Sequence, residues 1–417
     1  VTLRVLLASL LLAGVPACGG SRVDPSPAAA DTSSDQTAGT GDDGASPVEV
    51  NAPPAPLVLP PSCDSDTDAP PRQLVCTGLY ADIEGKQTAP GVAPYAPAIP
   101  LWSDGAEKQR WILLPAGGVI DNTDPGEWSF PVGTKVWKEF SRGGQRVETR
   151  LWQKIHDGYW VNATYAWDAD ESGATLSSGG DITLADGTTY HVPTNDECQK
   201  CHRGRTDRIL GFEQVLLGLP GAVGLTLEAL VAQGQLSDPP ASTSLTIGDD
   251  GTGAAAAALG WLHVNCGTTC HNANSGSSAF AAGMLLRLDP NQLDGRPVND
   301  FEALKTTLGV VVGTPNWSGQ IRIVPGSPDQ SLIYQLISHR GTGSQMPPIA
   351  TDLVDELDIP LVAGWIAAMP PVSALQAPGG TDPGSSNQGG TPDVADPTLA
   401  GGGAPPTPSE NPGPPGQ

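Results

Sequence analysis

Apolar and polar residues alternate with a period of two between Val147 and Ile155. Val147, Thr149, Leu151, Gln153 and Ile155 hold one phase; Glu148, Arg150, Trp152 and Lys154 hold the other. That is the pattern of a strand with one buried face. Asp157-Gly158 then leads into the aromatic run Tyr159 to Trp167, and Asp186-Gly187 separates Ile182-Thr183-Leu184 from Thr189-Tyr190-His191-Val192. Asp-Gly between alternating runs is a strong hairpin signal. The stretch from Tyr95 to Val192 therefore predicts an antiparallel β-sandwich or barrel-like domain. Most of the ten tryptophans lie here and read as core and cross-strand packing.

Beyond this stretch the periodicity becomes helical. Leu225 to Leu236, Ala254 to Val264 and Asp300 to Leu308 each predict a helix. Ser327-Pro328-Asp329-Gln330 reads as a capping box with proline at the first helical position, leading into Ser331 to His339. Pro360 to Met369 predicts a last helix, with Leu361 and Trp365, and Val362, Ile366 and Met369, at helical spacing. The fold class expected is α+β, a β-rich domain followed by a mainly α-helical one.

Composition sets the ends apart. Leu3 to Val15 is an apolar core behind one cation, Arg4, and Val15-Pro16-Ala17-Cys18 resembles a lipobox, at which a cysteine is lipidated and becomes the first residue. The apolar run is too short for a stable transmembrane helix. Ser21 to Pro56 and Ala377 to Gln417 are rich in Gly, Pro, Ser, Thr, Ala and Asp, and bury too little apolar surface to fold. The expected layout is a lipoprotein signal peptide over 1–17, a disordered tether over 18–60, a β-rich domain over 61–200, a helical domain over 201–371 and a disordered Gly/Pro-rich tail over 372–417. The balance of 21 Lys+Arg against 45 Asp+Glu gives a net charge of −24, which argues against nucleic acid.

Cysteine placement carries the chemistry. Of seven cysteines, Cys63 and Cys76 flank a short Asp/Pro-rich loop with no nearby histidine, and outside the cytoplasm they are expected to form a disulfide. Two other pairs each run directly into a histidine: Cys198-Gln-Lys-Cys201-His202 and Cys266-Gly-Thr-Thr-Cys270-His271. The first is the haem c attachment motif, in which both thiols bond the porphyrin vinyl groups and the histidine becomes an axial iron ligand. The second is the same motif with one extra residue, which must bulge; Gly267 would help it do so. A disulfide, a degenerate haem motif and a zinc site shared by the four cysteines are the alternatives for the second pair, although zinc ribbons space their pairs more closely. Haem c at both places is the preferred reading, with iron ligands His202 and His271.

Met346 is expected opposite His271. Only three methionines occur, and Met284 and Met369 sit in apolar stretches, whereas Met346 lies in Gln345-Met346-Pro347-Pro348, a poor place for a packing methionine. The order of helix, Cys266/Cys270/His271, irregular stretch, Met346 loop and final helix is similar to a class I cytochrome c. The sixth position of the first iron is open among His191, His156, His263 and His339, or is vacant and free to take a small ligand.

From Tyr95 to Met369 the chain resembles bacterial secreted proteins that pair a β-rich region with cytochrome c motifs. The similar segments are Phe130-Pro131-Val132-Gly133-Thr134, Lys138-Glu139-Phe140, Val147-Glu148-Thr149-Arg150 and His191-Val192-Pro193 before Cys198. Further on they are Ala258-Leu259-Gly260-Trp261-Leu262-His263, Val324-Pro325-Gly326-Ser327-Pro328 and Met346-Pro347-Pro348. The resemblance implies haem c binding and electron transfer, and no particular substrate. The expectation is an exported electron-transfer lipoprotein, anchored through Cys18 at the periplasm or the outer membrane or cell surface, with a redox partner there. The alternatives are a haem enzyme with one open iron, for which no acid–base pair is assignable, and a surface binding lipoprotein whose haem sites are vestigial.

Overall fold

The computed structural model describes residues 68–184, 186–293, 295–349 and 351–371, together with residues 59 and 63. Cys18, the segment 1–17 and the tail 372–417 lie outside the described residues. Among the described residues no helix is long and apolar enough to cross a membrane.

Strands β1 (Tyr80–Asp82), β2 (Gln87–Thr88), β3 (Ala93–Ala96), β4 (Glu107–Leu113), β5 (Lys135–Arg142), β6 (Gln145–His156), β7 (Tyr159–Trp167), β8 (Ala174–Ser177), β9 (Gly180–Thr183) and β10 (Thr189–Val192) come first. Helices α1 (Asn195–His202) and α2 (Gln214–Gly218) precede a last short strand, β11 (Val223–Gly224). Seven strands form one sheet in the order β11-β3-β4-β5-β6-β7-β8, while β1–β2 and β9–β10 are separate two-stranded ribbons. Every pairing in the large sheet is antiparallel. Both Asp-Gly sites lie at hairpins, joining β6 to β7 and β9 to β10. An antiparallel sheet-rich region followed by helices thus stands as expected; its end strands, β11 and β8, do not pair with each other, which makes it an open sheet.

The helices that follow are short: α3 (Leu227–Ala232), α4 (Ala255–Leu262), α5 (Glu302–Lys305), α6 (Leu332–Ile337) and α7 (Ile359–Ala368). The first four fall inside the expected helical stretches, and α7 starts one residue before its own. Ser327 makes no side-chain cap, so the capping box expected there is absent. Ser331 ties that turn instead: its hydroxyl accepts from the Val324 N–H at 2.9 Å and donates to the Ser327 carbonyl at 2.9 Å. A complete capping box stands where none was anticipated, between Thr194 and Glu197 at the start of α1.

Both faces of the sheet are covered. On one, Trp111, Trp137, Leu151, Tyr165 and Trp167 pack with Leu74, Leu79 and Tyr80. On the other, Ile112, Val136, Trp152 and Trp160 join Phe212, Leu259, Trp261 and Trp365 in a core that continues across residue 200. This corrects the one-buried-face reading of Val147 to Ile155. Glu148 and Lys154, in the polar phase, are 0% and 2% exposed, because Tyr190, Asp207 and the segments that follow pack on that side.

Candidate functional site

Helix α1 holds the first motif. Its capping box satisfies end groups that would otherwise lack partners, with the Glu197 carboxylate accepting from the Thr194 N–H at 2.8 Å. Spacing of three residues sets Cys198 and Cys201 on one helical face. Both thiols are free. Burial raises both, Cys201 to about 12, with Cys270 and Cys198 next to it adding to the effect. His202 follows. Its Nδ1 lies 2.6 Å from the Arg208 carbonyl, which only accepts, so Nδ1 carries the proton and Nε2 keeps its lone pair. That is how a ligating imidazole is oriented by its outer partner. The ring stacks on Trp152 of β6, centroids 4.2 Å apart, and burial pulls its pKa down to about 3.

The second motif is built differently. Helix α4 runs into a π-helical turn over His263–Gly267, in which the Thr268 N–H reaches the His263 carbonyl at 2.8 Å and the His271 N–H reaches the Cys266 carbonyl at 2.8 Å. A π turn is an α turn with one residue inserted. It absorbs the extra residue between Cys266 and Cys270. The expectation that Gly267 would ease a loop bulge gives way to another role. A Cβ on Gly267 would lie 2.4 Å from the Arg287 nitrogen, so glycine is needed there for close backbone approach. Cys266 and Cys270 are free thiols; burial raises both, Cys266 to about 12. His271 is buried, its Nδ1 has no partner, and burial followed by the Arg322 charge pulls it down to about 4.

The two motifs touch. A Cβ on Gly204 would lie 1.8 Å from the Thr269 carbonyl oxygen. The Arg203 guanidinium donates to Ser278 Oγ at 3.0 Å, and that hydroxyl donates to the Lys200 carbonyl at 2.9 Å. Cys201 is close enough to Cys270 for the Cys270 charge to raise it. Met346 is half-buried against the apolar cluster that also contains Cys198 and Cys266, and its N–H bonds the Leu336 carbonyl at 2.9 Å. Gln345 steadies the loop, donating to the Thr351 carbonyl and accepting from the Gly341 N–H. Among the described residues no group of three or more His, Cys, Asp or Glu converges as a metal site. Cys63 and Cys76 form a disulfide with Cα atoms 5.3 Å apart.

The histidines weighed as sixth ligands separate clearly. His263 is 0% exposed with both nitrogens occupied: the Leu288 N–H donates to Nδ1 at 2.9 Å and Nε2–H donates to Glu213 at 2.7 Å. His191 is exposed between Asp181 and Glu197. His156 and His339 are exposed.

Sequence reasoning missed the charged groups around the motifs. Glu213 binds Arg205 at 2.6 Å as well as His263. Burial pulls its carboxyl upward, but Arg205 and His263 outweigh it and hold the group well below the carboxylate range. Lys154 pairs with Asp207 at 2.9 Å, and Asp207 also accepts from Trp160 Nε1 at 2.7 Å. Arg203, Arg205 and Arg208 border a polar pocket of about 640 Å³ beside the first motif. The available signal was faint: charged residues in a strand phase that also carries Trp152 and Trp160. No family model, curated protein or solved structure matches this chain.

Proposed function

We propose that this chain is an exported electron-transfer lipoprotein with two covalently held haems. One would bond Cys198 and Cys201 with His202 on its iron. The other would bond Cys266 and Cys270 with His271 and Met346 on its iron, in a setting similar to a class I cytochrome c. Haem c supplies one-electron chemistry. The chain's residues orient and shield it: Arg208 fixes the His202 tautomer, Trp152 flanks the ring, and the π turn gives the longer motif room for its extra residue. The donor set fits the group: among the described residues it has four free thiols and two neutral imidazoles, His271 buried and His202 half-buried.

The observation that carries this reading is the contact between the motifs, Gly204 against the Thr269 carbonyl. Residues far apart in sequence meet there, and electrons would pass between neighbouring centres. Lipidation at Cys18 would hold the protein at the periplasmic or outer-membrane surface, where its redox partner would dock. The test is a haem stain on a denaturing gel for the wild type and for Cys198→Ser with Cys201→Ser. The double variant should keep one covalent haem; losing both while folded would refute two separate sites.

A second reading has one observation in its favour. His263 is fully committed and the other histidines weighed are exposed, which leaves the first iron without an evident second imidazole. An open iron would bind cyanide or peroxide, as a haem enzyme does. Optical spectra with and without cyanide decide between the two.

A further inference from the structure

We propose that Tyr95, Arg110, Lys138 and Arg150 form a clamp, buried at Tyr95 and Arg110 and half-buried at Lys138 and Arg150, for a carboxylate- or oxyanion-bearing ligand, on the sheet face that meets the first cysteine motif. The clamp is written in the strand register. Arg110 pairs with Lys138 across β4–β5, and Lys138 pairs with Arg150 across β5–β6. On the other side, Ala93 pairs with Ile112 and Pro94 with Trp111, so the next position sets Tyr95 against Arg110. Three cations therefore stand in a row across three strands. Like charges directly opposite destabilise a sheet, and burial without partners adds to the cost.

Among the described residues one carboxylate, Glu148, answers this row, and only at Arg150. Arg110 is 5% exposed and finds no acceptor among the described residues, and neither does Lys138. Arg150 binds Glu148, yet that single carboxylate also accepts from Tyr190. The Tyr95 hydroxyl is the independent sign. The residue is 4% exposed, sits beside Arg110, and its oxygen has no partner. Arg110 and the Lys138 ammonium only donate and the Tyr95 hydroxyl can donate, so a ligand of acceptors suits the row. Burial, Arg110, Lys108 and Arg150 together hold Lys138 well below the lysine range, and Lys108, whose ammonium caps the Leu101 carbonyl, is pulled down to about 7. Arg150 shares its face of β6 with Trp152, two residues on, and Trp152 stacks on His202 at 4.2 Å. The clamp thus borders the first motif.

Two sources share this chemistry: the carboxylates of a porphyrin held at Cys198 and Cys201, or a small free oxyanion. The first source rests on the haem reading above, and the second does not. The experiment uses the full-length exported protein with Lys138→Gln, Arg110→Gln, Tyr95→Phe and the conservative Lys138→Arg. Haem content and redox titration are measured first, then calorimetric titration with sodium phosphate at low ionic strength. If porphyrin carboxylates fill the clamp, each cation-to-Gln change leaves the haem count intact. It moves one haem toward the oxidised form by about tenfold in ratio at fixed potential, or about 59 mV. Lys138→Arg restores the ratio, and phosphate does not bind. If a free oxyanion fills it, phosphate binds once per wild-type chain and at least about tenfold more weakly to the Gln variants. Unmoved potentials together with no phosphate binding overturn the clamp while leaving the haems in place. A bare chain that still binds phosphate overturns the haem reading and keeps the clamp. A bare chain that does not bind it overturns both.

Discussion

On one face of the seven-stranded sheet, Trp111, Trp137, Leu151, Tyr165 and Trp167 close an apolar core with Leu74, Leu79 and Tyr80. Its one buried acid, Glu139, is fully partnered by Tyr80, Thr149 and Arg146. The opposite face of the same strands carries Arg110, Lys138, Arg150 and Lys154, with both cysteine motifs nearby. Both faces are buried. One is satisfied from within, while the other keeps donors with no acceptor, buried imidazoles and four free thiols. The first face provides stability; the second gives some of it up for binding, as functional sites do.

The largest effect should come from the apolar face. Trp137 is 0% exposed, so Trp137→Ala should cost about 3–5 kcal/mol in denaturant unfolding. The potentials of the proposed haems in the variant that still folds should stay where they were. A shift in potential would mean that the two faces are not separable.

Next comes the network behind the motifs. Glu213→Gln leaves Arg205 and Arg287 short of their buried counter-charge and should cost about 3 kcal/mol at neutral pH. The folded pKa of Glu213 is depressed. Its contribution is therefore fully present above the unfolded value, about 4.3, and fades as pH falls below it toward the folded one. Stability curves of wild type and variant should be parallel above about pH 5 and converge in acid. A constant gap down to the acid limb would show that Glu213 gains nothing from its charge.

Gly204→Ala tests the contact between motifs. The added methyl meets the Thr269 carbonyl, and overpacking of this kind costs about 1–3 kcal/mol. Electron exchange between the proposed haems should slow, measured by stopped-flow reduction with each one followed separately. Unchanged stability and exchange would show that the motifs can part freely.

The smallest effect on stability is expected at Met346→His. The potential of one haem should fall, since imidazole stabilises oxidised iron more than a thioether does, and the sulfur-to-iron charge-transfer band should vanish. A persistent band would return Met346 to a packing role against the core it already touches.

Much of the first face was legible in the sequence, and little of the second. Tyr159–Trp167 was delimited by its aromatic run, and Asp157-Gly158 marked the hairpin, because period-two patterning and turn chemistry are local. The cysteine-histidine motifs were legible for the same reason. Glu148 and Lys154 read as the polar phase of a half-buried strand, since only long-range packing of the segments after β10 onto that face buries them. The π turn over His263–Gly267 was equally hidden; one inserted residue shows in the motif spacing, but its absorption by the helix does not. Thr194-x-x-Glu197 was a missed local signal, a capping box lying in plain sequence before the first motif.

The most direct measurement is the intact mass of the exported, purified protein. Two covalent haems on Cys198/Cys201 and Cys266/Cys270 require the mass of the processed chain plus two haem groups, with the Cys63–Cys76 bond reducing it by two hydrogens. A mass equal to the processed chain alone, with four alkylatable thiols, would contradict the haem reading at both sites.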